Sequence, residues 1–206
     1  MGRRIRKKWD LPLEQRWGLP VLSFAFFVGG GAGCLLAALS DGAGAEELCS
    51  YLTGYLSLAQ EGSLPRSLWA VLWEQARYWL LSLLLSFTVL GLVGLPVLFG
   101  VRGFFFSFPV ACFCRIFGGR GLFPAFVLFA LPALLWMPAL YLMGTSGFLS
   151  AQQLLRRFWG ENRGGPVLGS PFWCRAGLCL VLTLAAGLLE YWVVPVLLRA
   201  AARVIL

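Results

Sequence analysis

The fold is decided by Trp17–Leu39, WGLPVLSFAFFVGGGAGCLLAAL, 23 consecutive residues without a charge. About 20 such residues cross a bilayer, because roughly 30 Å of hydrocarbon is traversed at about 1.5 Å per residue. Arg3, Arg4, Arg6, Lys7, Lys8 and Arg16 precede the stretch, and Ala43-Gly44-Ala45 follows it and imitates a signal-peptide cleavage site. The apolar run is longer than the roughly 7 to 15 residues of a signal sequence, so it reads as an uncleaved span.

Four more apolar stretches lie outward of it. Residues 78–101 are uncharged and stop at Arg102. Residues 103–117 are short, contain Pro109 and are interrupted by Arg115, so they either cross or re-enter. Residues 122–149 carry Pro124, Pro132 and Pro138, which predict a tilt or kink. Residues 176–198 hold one acid, Glu190, and are closed by Arg199. The predicted fold class is all-α, a single polytopic membrane domain over residues 1–206 with about five transmembrane helices, the third short or re-entrant. Composition points the same way. The chain is 59% hydrophobic and 13% charged with mean hydropathy +0.79, whereas a soluble domain is about half apolar and a quarter charged.

The net charge is +8, from 17 Lys and Arg against 9 Asp and Glu. The amino-terminal basic cluster abuts a span and reads as an anchor on anionic headgroups of the lipid bilayer, not as a nucleic-acid surface. With five crossings and a cytoplasmic amino terminus, Arg102, Arg156, Arg157, Arg163 and Arg175 join that cluster inside, making eleven. Arg66, Arg77, Arg115, Arg120, Arg199 and Arg203, six in number, fall outside. A re-entrant third stretch exchanges four arginines for four others and leaves the same ratio. Charge therefore places the amino terminus in the cytoplasm under either topology.

Residues 40–77 form the one substantial segment between spans on the far side. Leu48, Tyr51, Leu52, Tyr55, Leu56 and Ala59 recur at helical spacing, with Glu46, Glu47, Ser50, Thr53, Ser57, Gln60 and Glu61 opposite. This predicts an amphipathic helix over 45–61, ended by Gly62 and Pro65. Its polar face has acids and no cations, unlike that of a membrane-surface helix. It either packs on the tops of the spans or docks an extracytoplasmic partner. Leu68, Trp69, Leu72 and Trp73 then make an interfacial lead into the second span.

Two intramembrane features stand out. Ala25, Gly29, Gly33 and Ala37 recur every fourth residue, a small-residue face that lets two helix backbones approach closely. It serves internal packing, pairing with a second copy of the chain, or docking of another protein's span. Glu190 is an ionisable group inside a span and so a candidate site. It bonds backbone groups freed by Pro195 or an arginine from a neighbouring helix, or it handles protons or ions. Histidine is absent, and the six cysteines, Cys34, Cys49, Cys112, Cys114, Cys174 and Cys179, lack paired two-residue spacing. No catalytic residues, metal ligands or cofactors are predicted, because catalysis needs a second polar group near the first.

The order of features carries a resemblance. A basic amino terminus, a Gly-rich first span, an acidic helix with Glu47-Leu48 and Tyr51-Leu52, and a span rich in Leu and Gly come in sequence. The turn Gly100-Val101-Arg102-Gly103-Phe104, the prolines of Leu131-Pro132 and Met137-Pro138-Ala139, and Leu189-Glu190 with Pro195 follow. In length, spacing and order the chain resembles stage II sporulation protein M from about Trp17 to Leu198. It departs from that family where Ala133, Leu134 and Leu135 follow Pro132, a place where relatives often carry polar residues. The resemblance implies a non-enzymatic scaffold of endospore-forming bacteria, lying in the engulfing septal membrane. There it would hold two cell-wall hydrolases, stage II sporulation proteins D and P, during septal thinning and engulfment. It extends to relatives in bacteria that make no spores. The competing class is a small transport component, a permease subunit or an ion-coupled carrier using Glu190.

Overall fold

The computed structural model describes residues 15–39, 67–160 and 170–205, together with Ser50, Gly54 and Leu58. All regular structure among the described residues is helical. The main helices are α1 (Gln15–Leu39), α2 (Leu68–Ser86), α3 (Gly91–Phe117), α4 (Leu131–Phe158) and α5 (Ser170–Ile205). Four stretches, Trp17–Leu39, Gly91–Phe117, Phe126–Phe158 and Phe172–Leu197, are long and apolar enough to cross a membrane. The chain is a multi-pass helical membrane protein.

The neighbours along each helix give the directions. Gly29 lies against Gly100, Gly33 against Phe104 and Phe108, and Gly30 against Gly103 and Ser107, so α1 and α3 run parallel. α2 runs antiparallel to α3, with Leu85 beside Gly91 and Gly94 and Tyr78 beside Arg102. It is also antiparallel to α5, since Phe87 meets Phe172 while Gln75 meets Glu190. α4 returns along both, with Gly147 on Ser86 and Leu95 and Trp136 on Arg102. The start of α1, the α2–α3 turn, the end of α4 and the start of α5 therefore share one end of the bundle, the proximal end. α2 passes through the bundle with the other four, so five helices traverse it.

The expected segmentation changes: residues 68–77, read as part of an outer loop, are the first half of α2, and α4 runs on past residue 149 to Phe158. Residues 78–101 are not one helix: α2 ends at Ser86, and the chain reverses over residues 87–90 into α3. Residues 103–117 are accordingly not a short or re-entrant element but the second half of the 27-residue α3. Local chemistry explains the break. The Thr88 hydroxyl and amide both donate to the Leu85 carbonyl, at 3.2 Å each, closing the last turn of α2. A side chain on Gly91 would overlap that same carbonyl, so the reversal requires glycine there. Gly94, within α3, lets that helix return close against the Leu85 side chain. At the other ends of α3 and α4, Gly118 and Gly160 hold positive φ, which glycine adopts without the steric cost that a side chain carries.

Of the expected amphipathic helix 45–61, Ser50, Gly54 and Leu58 are helical and exposed. Its apolar face, Leu48, Tyr51, Leu52, Tyr55 and Leu56, lies outside the described residues.

Packing follows membrane rules. Leu22, Leu95, Phe99, Ala133, Trp136 and Phe148 form the main core, while Phe24, Phe27, Leu35, Val93 and Val181 point outward. Lipid gives no hydrophobic drive for helix association, so close contact and polar links hold the helices together. Buried hydroxyls other than that of Ser82 are satisfied within their own helices: Ser86 donates to the Ser82 carbonyl at 2.6 Å, Ser150 to that of Ser146 at 3.0 Å, and Thr183 to that of Cys179 at 2.7 Å. This back-bonding removes the cost of a hydroxyl without water.

Candidate functional site in the membrane interior

The small-residue face of α1 is a seam inside the chain. Gly29 and Gly33 sit where a Cβ would strike the Gly100 backbone or stand 2.9 Å from the Phe104 carbonyl. The Ala25 carbonyl faces Gly100, and Ala37 is buried with Cys112 and Phe113. α1 and α3 are the most extensively packed pair of helices. At the distal end Arg115, on the last turn of α3, donates to the Ala37 carbonyl and, at 2.9 Å, to that of Ala38. It thereby caps carbonyls that the end of α1 leaves without helical partners.

The ionisable residues gather on the opposite side of α3. Arg102, read from sequence as closing a span, is the twelfth residue of the 27-residue α3 and lies within the bundle. Its guanidinium carbon is 4.2 Å from the Tyr78 ring centroid and 4.2 Å from that of Trp136, so the flat cation is packed against two aromatic rings. It donates at 3.0 Å to the Gln75 Oε1, and Gln75 Nε2 donates at 2.9 Å to a Glu190 carboxylate oxygen. One amide thus links a cation on α3 to an anion on α5. Gln75 satisfies both with its single carbonyl and single amide nitrogen, which is why a buried glutamine suits this place. Arg77 and Glu74, 3.6 Å apart on the outer side of α2, belong to the same neighbourhood.

These groups line a cavity of about 310 Å³ between α2, α3, α5 and the entry to α4. Leu128, Phe129 and Pro132 form its apolar wall. That wall is shaped by a π-turn over Phe126–Ala130, in which the Leu131 amide donates to Phe126, five residues back. Pro132 has no amide hydrogen and its ring crowds the preceding turn, which the wider π geometry relieves. A second void of about 20 Å³ adjoins Arg102 and Gln75 and includes the Ser82 hydroxyl. Among the described residues that hydroxyl is the buried side-chain donor with no hydrogen-bond partner.

No family model, curated protein or solved structure matches this chain.

Sequence reasoning singled out Glu190 but missed Arg102, Gln75, Tyr78 and Trp136. It also placed Arg77 in a loop between spans, whereas Arg77 stands in the middle of α2. A signal was present. Val71, Gln75, Ser82 and Ser86 are the buried residues of α2 and fall on one helical face, so its polar stripe points inward. Taken as one helix from Leu68, that segment shows an inverted amphipathicity that a run of apolar residues starting at Tyr78 conceals. Among the described residues no three or more His, Cys, Asp or Glu side chains gather to hold a metal ion.

Proposed function

We propose that this chain is a non-enzymatic membrane scaffold of the stage II sporulation protein M type. It would hold cell-wall hydrolases, stage II sporulation proteins D and P, at the septal membrane during engulfment. The observation that carries the proposal is the Gln75 bridge between Arg102 and Glu190, which ties α2, α3 and α5 together. Charges engaged in cross-helix links suit a rigid holder better than a path along which charge moves. The order of sequence features adds to this. Because the Ala25, Gly29, Gly33 and Ala37 face is covered by α3, a partner's membrane segment would take the outer face of α1. Phe24 and Phe27 there are 72% and 73% exposed.

The proposed orientation puts the proximal end in the cytoplasm. With Arg77 and Arg102 in the middle of α2 and α3, away from either end, ten of the remaining basic residues flank that end and five flank the other. Arg163→Cys, in a background without other cysteines, is expected to resist impermeant reagents applied to intact cells. Strong labelling would invert or break the topology.

Affinity purification of the tagged chain from sporulating cells tests the scaffold itself. The hydrolases should come with it and be lost from a Phe24→Ala, Phe27→Ala variant of normal abundance. Recovery of the chain without any wall hydrolase would reject the proposal. The cavity at Glu190 favours a second reading, an ion-coupled carrier. For that, Glu190→Gln and Glu190→Leu should abolish function equally at normal abundance.

A further inference from the structure

The geometry points to the 310 Å³ cavity as a binding cleft for the zwitterionic headgroup of an aminophospholipid that enters from the bilayer between α2 and α3. Three observations carry this. The first is charge. Arg77 and Arg102 line one cavity together with Glu74 and Glu190, so the lining is balanced: Arg77 pairs with Glu74 at 3.6 Å, and Arg102 stands off from Glu190 across Gln75. Gln75 stands between Arg102 and Glu190 and spaces those two charges, as the ethanolamine linker spaces a phosphate from an ammonium. A phosphodiester suits the arginines, whose edges donate several N–H groups, and an ammonium suits the carboxylates. Arg102 is pre-oriented for this: two rings cover its faces, and Gln75 accepts one of its five N–H donors.

The second observation is access. The side chains of Arg77 and Glu74 are 48% and 60% exposed, and Phe105 is 56% exposed. These residues sit on α2 and α3, so the mouth faces sideways out of the bundle. Glu74 is the seventh residue of α2, about 10 Å along the helix from its start. Arg77 and Glu74 meet each other at 3.6 Å, but their exposed outer edges still offer N–H groups and a carboxylate oxygen that lipid tails cannot satisfy and a polar group can. A headgroup drawn inward from the distal leaflet would do so, with its acyl chains running out over Phe105.

The third is size. At about 30 Å³ per water the cavity holds the equivalent of about ten waters, enough for a phosphoethanolamine group and part of the glycerol. The same zwitterionic chemistry exists in soluble form, but an intramembrane mouth with an apolar wall of Leu128, Phe129 and Pro132 selects the lipid.

The test uses the full chain in mild detergent. Phosphatidylethanolamine or phosphatidylglycerol of matched acyl chains is added, and bound lipid is counted by native mass spectrometry. One phosphatidylethanolamine should be retained about fivefold or more over phosphatidylglycerol, the scale of one net hydrogen bond. Arg77→Gln and Glu74→Gln, at the exposed rim, should each lower that retention several-fold without changing thermal unfolding. Equal retention of both lipids overturns the proposal, as does unchanged retention in both rim variants. Displacement by millimolar soluble phosphoethanolamine also overturns it, in favour of a soluble zwitterion as the occupant.

Discussion

Helix α3 is joined to the bundle by two seams of opposite kind. Toward α1, backbone lies on backbone: Gly29, Gly33, Gly100 and Gly103 remove side chains from the contact, which leaves no room for a side chain at Gly29, Gly33 or Gly103. Toward α2 and α5, long side chains reach across a gap, and Arg102, Gln75 and Glu190 link three helices around a cavity. Both solve the problem of association in lipid, where apolar area gives no preference for helix over tail. The first seam is a fixed spacing. The second is a set of directional bonds that tolerates space, so it is where a ligand or partner can be accommodated.

The sharpest way to break this contrast is Gly29→Leu. The new side chain meets the Gly100 backbone, which cannot move without moving α3, so the cost should exceed the 1 to 3 kcal/mol usual for overpacking a core, at about 4 kcal/mol or more. Loss of membrane abundance and of cooperative unfolding in detergent would report it. Gly31→Leu is the control: nothing lies within 4 Å of its added Cβ, and it should leave stability unchanged. Equal tolerance of both would show that α1 does not pack on α3 as described.

Next in size is Arg102→Met, which keeps the stem but removes the cation from between Tyr78 and Trp136 and takes from the Gln75 carbonyl the donor that Arg102 supplies. Breaking a buried charge link by removing one partner costs about 3 kcal/mol, measurable as a lowered midpoint of unfolding. A smaller effect separates Glu190→Leu from Glu190→Gln. Glutamine keeps an acceptor for the Gln75 amide, whereas leucine leaves that donor unpaired at a cost of about 1 to 3 kcal/mol. If the two behave alike, the bond to Gln75 contributes nothing. Smallest is Arg115→Ala, which uncaps the end of α1. A loss of about 1 kcal/mol and faster amide exchange near Ala37 and Ala38 are expected.

Much of the architecture was legible from runs of apolar residues, because length and hydropathy are what a bilayer selects. The four-residue spacing of Ala25, Gly29, Gly33 and Ala37 was legible as a face for the same reason that it works: it repeats with the helix. Its partner was not, since nothing in α1 says which helix carries the matching Gly100 and Gly103. The reversal at residues 87–90 was hidden because hydropathy stays high from Trp79 to Val101 and does not record direction. Thr88, Gly91 and Gly94 did record it. Arg102 was misplaced because a charge at the edge of an apolar run looks like a boundary. The rings that accept it, Tyr78 and Trp136, stand 24 and 34 residues away in the sequence.

The parallel course of α1 and α3 bears on how the chain is made. Helices joined by a short turn meet soon after synthesis, but Gly29 must wait for Gly100, some seventy residues later. At about 5 to 20 residues per second, that is a delay of about 4 to 14 seconds. Throughout it the glycine face of α1 stands open in the membrane. Any insertion factor or neighbouring helix able to shield a narrow small-residue groove would have its one opportunity then, before α3 arrives and shuts it for the life of the protein.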